Sequence, residues 1–218
     1  MTIRLAVFDC DGTLSDGQAG VVDAMQRAFG AIGASPPDPQ DIRRIVGLSL
    51  PQAVRQLMMD GDDAQRQQVV LAYKQAFRDS RENGSLREPL FAGMDDLLRK
   101  LHSEGWTLGV ATGKSDRGLA STLAANDLSD LFSTMQTADR HPSKPHPAML
   151  EAAMDDVSAE PAGTVMIGDT VFDIAMAKAA GARAIGVAWG YHEASELLDA
   201  GAEAVAQNAN ELEALLHG

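Results

Sequence analysis

Cysteine is nearly missing from this chain. Its 218 residues contain one, Cys10, which excludes a disulfide framework and a cysteine-based zinc cluster. Basic side chains are also scarce: 18 Lys and Arg against 31 Asp and Glu leave a net charge of −13. A polyanion of that size repels nucleic acid and acidic lipid, so neither a DNA- or RNA-binding module nor a membrane-bound protein is expected. No apolar run approaches the roughly 18 residues of a membrane span. Met1 to Leu5 carries no secretory signal pattern and leads at once into a strand-like segment. Internal repeats and low-complexity segments are lacking too. A soluble, cytoplasmic protein is the expectation.

What is present is an ordinary composition, 45% hydrophobic and 22% charged, in a length suited to one domain carrying a smaller insertion. Leu5 to Asp9 is a short apolar run of the kind buried on both faces of a sheet. Trp106 to Thr112, Thr164 to Asp169 and Arg183 to Trp189 repeat it, and Ala202 to Gln207 is a weaker version. Helical periods lie between them. Met94, Leu97, Leu98 and Leu101 share one face; Leu119 and Leu123 follow a plausible N-cap at Ser115-Asp116; Pro147 suits the first turn of another helix. Strands alternating with helices predict an α/β fold, a Rossmann-like, doubly wound parallel sheet.

One interval breaks the alternation. From about Gly17 to Arg87 there is no strand pattern, but three apolar stripes at helical spacing. They are Val21-Met25-Phe29-Ile32, Leu50-Val54-Leu57 and Val70-Tyr73-Phe77, with a break at Pro36-Pro37-Asp38-Pro39. The predicted division is a core of residues 1–16 and 88–218 with an all-helical insert of residues 17–87. The insert holds nine basic and eight acidic side chains, a charge of +1, while the remainder is −14. A solvated helical surface explains that, and so does a cap lowered over an anionic ligand.

Four motifs carry chemistry. Asp9-Cys10-Asp11-Gly12-Thr13 closes the first strand, where open α/β sheets bind ligands. Two carboxylates so close repel, and a divalent cation relieves the repulsion; oxygen ligands favour Mg²⁺. Val110 to Ser115 follows the second strong strand pattern and suggests a phosphate loop, but the spacing excludes it. A Walker A loop would need its first glycine at Leu108, and Gly109 is one position out of register. Thr112 instead suits a hydroxyl donor to a phosphoryl group near a helix N-terminus, with helix capping as the plain alternative. Lys144, held between Ser143 and Pro145-His146-Pro147, can be aimed at a ligand, although an exposed lysine before a helix is commonplace. His141 and His146 lack a third metal ligand at suitable spacing and read as solvent-exposed. Gly168-Asp169-Thr170-Val171-Phe172-Asp173 closes another strand, with Asp173 one helical turn beyond Asp169, as further acids of the same well or as helix-capping residues. Cys10 reads as packing filler.

In their order these motifs resemble the haloacid dehalogenase superfamily of phosphatases, in the subgroup with a helical (C1) cap after the first motif, phosphoglycolate phosphatases included. The resemblance spans nearly the whole chain, with Phe91-Ala92-Gly93 at the return from cap to core. It implies a first strand at the centre, flanked by the strands ending at Thr112 and Asp169. It implies that Asp9 is the nucleophile, Asp11 the general acid and base, and Thr112 and Lys144 the grip on the phosphoryl oxygens. Mg²⁺ would be held by Asp9 and Asp169 and by the backbone carbonyl of Asp11, with Asp173 orienting Lys144 or a bound water. Asp11 itself argues for phosphate esters, because halide departure needs no proton. Gly47-Leu48-Ser49-Leu50 falls at a specificity loop, and Gly113 joins the substrate-binding set. Arg43, Arg44 or Lys114 is placed to meet a carboxylate or second phosphate, with Arg44 the preferred candidate. The expected partner is a small phosphorylated metabolite, met by a monomer or homodimer. A phosphomutase of the β-phosphoglucomutase type and a non-catalytic binding protein on the same fold are the alternatives.

Overall fold

The structure, a computed structural model, describes residues 3–218; Met1 and Thr2, read as leading into the first strand, lie outside the described residues. Six parallel strands form one sheet: β1 (Leu5–Phe8), β2 (Thr107–Thr112), β3 (Thr134–Thr137), β4 (Thr164–Gly168), β5 (Arg183–Val187) and β6 (Ala204–Ala206). Their order is β3-β2-β1-β4-β5-β6. Leu5 registers with Thr107 on one side and Thr164 on the other, so β1 lies between β2 and β4, which run two residues and one residue past its end.

The period-2 alternation of β1 divides the core. Ala6 and Phe8 face one apolar layer, built with Leu97, Leu98 and Leu101 of α5 (Met94–Ser103), Leu119 and Leu123 of α6 (Asp116–Ala125), and Leu212 and Leu216 of α10 (Ala209–His217). Leu5 and Val7 face the other, built with Met149 and Leu150 of α7 (Ala148–Val157), Ile174 of α8 (Val171–Ala179) and Leu197 of α9 (Ala194–Ala200). Helices on both faces explain why the central strands read as unbroken apolar runs. Ser115 caps α6 as its position suggested, accepting from the Gly118 N–H at 3.1 Å. Pro147 is the N-cap of α7 rather than part of its first turn.

Four helices lie between β1 and α5: α1 (Gln18–Ala31), α2 (Pro39–Arg44), α3 (Leu50–Leu57) and α4 (Asp63–Glu82). The three apolar stripes fall on α1, α3 and α4, and Val21, Met25, Phe29, Val54 and Val70 share one apolar cluster of their own. The two connections to this helical insert run side by side. Asp16 N–H donates to Pro89 C=O at 2.8 Å and Phe91 N–H to Leu14 C=O at 3.0 Å. Gly93, at φ +80°, then turns the chain into α5, a left-handed conformation that favours glycine. No helix among the described residues is long and apolar enough to cross a membrane.

Candidate active site

Three strand ends converge because β1 lies between β2 and β4. Asp9 directly follows β1, anchored by its N–H to Ile167 C=O at 2.9 Å. Its Oδ1 accepts from the Cys10 N–H at 2.7 Å and lies 3.0 Å from Lys144 Nζ. Its Oδ2 is buried and has no hydrogen-bond partner. Asp169, after β4, accepts from Thr13 Oγ1 at 2.8 Å and from the Tyr191 N–H at 2.9 Å. Lys144 is 1% exposed, so the commonplace reading of an exposed loop lysine does not hold. It donates to Asp173 Oδ1 at 2.6 Å, while Asp173 Oδ2 accepts from the Thr170 N–H and hydroxyl and closes the first turn of α8.

Oxygens of Asp9, Asp169 and Asp173 lie within 4.8 Å of one another, all buried. Burial pushes the Asp9 carboxyl up to about 7, with Lys144 opposing and Asp173 adding to the effect. Burial and then Asp9 raise Asp169 as well. Such a set is held ionised only by added positive charge. A hard divalent cation fits it, since Asp9 keeps a free oxygen and Asp169 unused lone pairs, whereas Asp173 has both oxygens engaged. Burial works against the Lys144 ammonium, yet Asp173 and Asp9 outweigh it and keep it charged.

The Asp11 carboxylate is not in the acidic cluster but turns toward Lys114, whose Nζ is 2.9 Å from Asp11 Oδ1 and also bonds Glu88 Oε1 at 2.5 Å. Arg44 corrects one expectation. It forms a two-pronged pair with Glu196, at 2.7 and 2.9 Å, and does not line the cavity. A carboxylate already on the core surface satisfies its guanidinium.

Asp9, Asp11, Thr112, Gly113 and Lys114 form the floor of a cavity of ≈ 480 Å³ whose roof is the helical insert. Thr112 is buried, and its hydroxyl oxygen accepts from the Lys114 N–H at 3.2 Å, leaving its proton free to donate. The Gly47-Leu48-Ser49-Leu50 loop lines the same cavity and rests on the core: Ser49 N–H donates to Ser143 Oγ at 2.8 Å. Gly113 admits that loop, because a Cβ there would stand 2.5 Å from Leu48 O. His146 is exposed, and His141 is half-buried against Gln136; neither belongs to the acidic cluster. Sequence reasoning missed Glu88, which carries no motif, and the hold of the Thr13 hydroxyl on Asp169.

Residues 6–187 match the haloacid dehalogenase-like hydrolase family. The chain belongs to that family. The resemblance read from the motifs is thereby borne out, and with it the expectation of an enzyme, a phosphatase of this family. Among curated relatives, "Probable phosphatase IndB" of Dickeya dadantii is 35% identical over 98% of this chain and 93% of its own. A phosphoglycolate phosphatase of Pseudomonas putida is 29% identical over 99% of this chain and 79% of its own. A hydrolase from Pseudomonas syringae superposes with a TM-score of 0.87 at 26% identity, covering 100% of this chain and 98% of that one.

Proposed function

We propose that this haloacid dehalogenase-like phosphatase hydrolyses a small phosphate monoester through an aspartyl-phosphate on Asp9, with Mg²⁺ as cofactor. The observation that carries the reading is the unpartnered Asp9 Oδ2, buried beside Lys144 and Asp169 at the floor of the cavity. Asp9 Oδ2 attacks phosphorus, the bond from phosphorus to the ester oxygen breaks, and Asp11 gives its proton to that oxygen. Asp11, its carboxyl raised by burial against the pull of Lys114, then takes a proton from the water that cleaves the aspartyl-phosphate and frees inorganic phosphate. Lys144 and the Thr112 hydroxyl hold the phosphoryl oxygens through both steps. Asp173 keeps Lys144 extended toward Asp9.

Asp9 and Asp169, with the Asp11 backbone carbonyl, would hold Mg²⁺, which when bound neutralises the charge that otherwise keeps a carboxylate from a phosphate. Residues 17–87 act as the cap that excludes water from the site. The reading carries with it a cytoplasmic monomer or homodimer that works on a phosphorylated metabolite and not on nucleic acid. Incubation of a panel of small phosphomonoesters with enzyme and Mg²⁺ tests it. Inorganic phosphate from wild type and none from Asp9→Asn is the expected result. An isomeric ester would make the enzyme a mutase, and no turnover across the panel would leave a binding protein.

A further inference from the structure

The cavity floor is acidic, and its far wall is basic. Lys144 faces Asp9, and Lys114 faces Asp11 and Glu88. On the insert side, Lys74, Arg78 and Arg81 line the cavity from one face of α4, at spacings of four and three residues, and Arg117 of α6 lines it as well. Among the described residues, none of these four has a carboxylate within ion-pair distance; Arg78 donates to the neutral Gln75 side chain at 2.7 Å. Arg81 Nε is buried and makes no hydrogen bond. The remaining acid on the lining, Asp139, accepts from the Asp116 N–H. In a chain of net charge −13, three unpaired cations on one helix face at the cavity wall are out of keeping with the whole. Tyr73 and Phe77, ring centroids 4.9 Å apart, add an apolar surface beside them.

We propose that the substrate carries a second anionic group, a carboxylate or a second phosphate, joined to its phosphoryl end by an apolar segment, and that Lys74, Arg78, Arg81 and Arg117 recognise it. The inference rests on the phosphatase reading, since it takes Asp9 as the seat of the phosphoryl group. Guanidinium groups suit both candidate anions, because each offers oxygens to a planar fork. A cavity of ≈ 480 Å³ has room for the longer molecule, within the roughly 300–1,000 Å³ span of small-molecule sites. Arg44, the preferred candidate from sequence, is paired with Glu196, and Lys74, Arg78 and Arg81 of α4, which have no ion-pair partner, take its place in this role.

Binding of non-hydrolysable phosphonates tests the subsite without turnover. Alkylphosphonates of increasing chain length are titrated calorimetrically with Mg²⁺ against ω-carboxy and ω-phosphono analogues of the same length. At one or more lengths an analogue with the second anion binds at least about tenfold more tightly than the plain chain, and added salt erodes the advantage. A better carboxylate points to a phosphorylated acid, and a better bisphosphonate to a bisphosphate. Lys74→Met with Arg78→Met and Arg81→Met removes the advantage and leaves the plain alkylphosphonate affinity nearly unchanged; Arg78→Met alone weakens it, should the triple variant not fold. Equal affinity at every length, or an advantage that survives these substitutions, overturns the proposal. Failure of phosphate release with the subsite intact would overturn the phosphatase reading instead.

Discussion

Lys144 and Asp173 form an ion pair of 2.6 Å between side chains that are both 0% exposed, from a loop and a helix 29 residues apart. The same ammonium is 3.0 Å from Asp9. One cation thus separates two buried carboxylates. Lys144→Met leaves both acids buried without counter-charge, at a cost of about 3–5 kcal/mol. Urea unfolding should show that loss along with a collapse of turnover. Wild-type stability in this variant would mean that the acids are neutralised in another way.

Magnesium and pH are coupled at Asp9. Its carboxyl is pushed from 3.8 to about 7 in the folded chain, so the folded state binds a proton that the unfolded state has released. Stability without metal therefore falls as pH rises across that window. Mg²⁺ competes with the same proton. The rise in Tm caused by Mg²⁺ should be small near the acid end of the window and larger above it. A rise that is constant with pH, or that shrinks, contradicts this coupling.

Gly113 sets how close the insert approaches. Alanine there would place its Cβ 2.5 Å from Leu48 O and 2.8 Å from Gly47 O, both backbone atoms. The loop must lift, at roughly 1–3 kcal/mol for overpacking. Gly113→Ala should raise KM and lower Tm, as steady-state kinetics and thermal melting will read; unchanged values would mean that the loop does not rest on the core in solution.

Cys10 lies between two acids of the first motif, but it is fully buried and burial pushes its thiol up. Reactivity needs the thiolate. Native protein should resist iodoacetamide, with one equivalent taken up after unfolding in urea. Stoichiometric alkylation of the native chain would contradict the buried placement.

The central strands were legible because burial on both faces makes them unbroken apolar runs, and their ends carry the acids. β3 was not. Thr134 and Gln136 are polar and both bond Asp156, and Met135 faces outward at 38% exposure, as an edge strand permits. The six-residue α2 buries only Ile42, too little to make a stripe. Lys144 looked like a surface lysine because its partners, Asp9 and Asp173, come from distant segments. Arg44 looked available for the same reason: its partner Glu196 lies 152 residues away.

The most direct measurement is mass spectrometry of enzyme quenched in acid during turnover with Mg²⁺ and a substrate identified by the phosphomonoester panel, using Asp11→Asn to slow the second step. The account predicts one phosphoryl group, on the peptide containing Asp9. A phosphoryl group on another residue, or none in an enzyme that still releases phosphate, would contradict it.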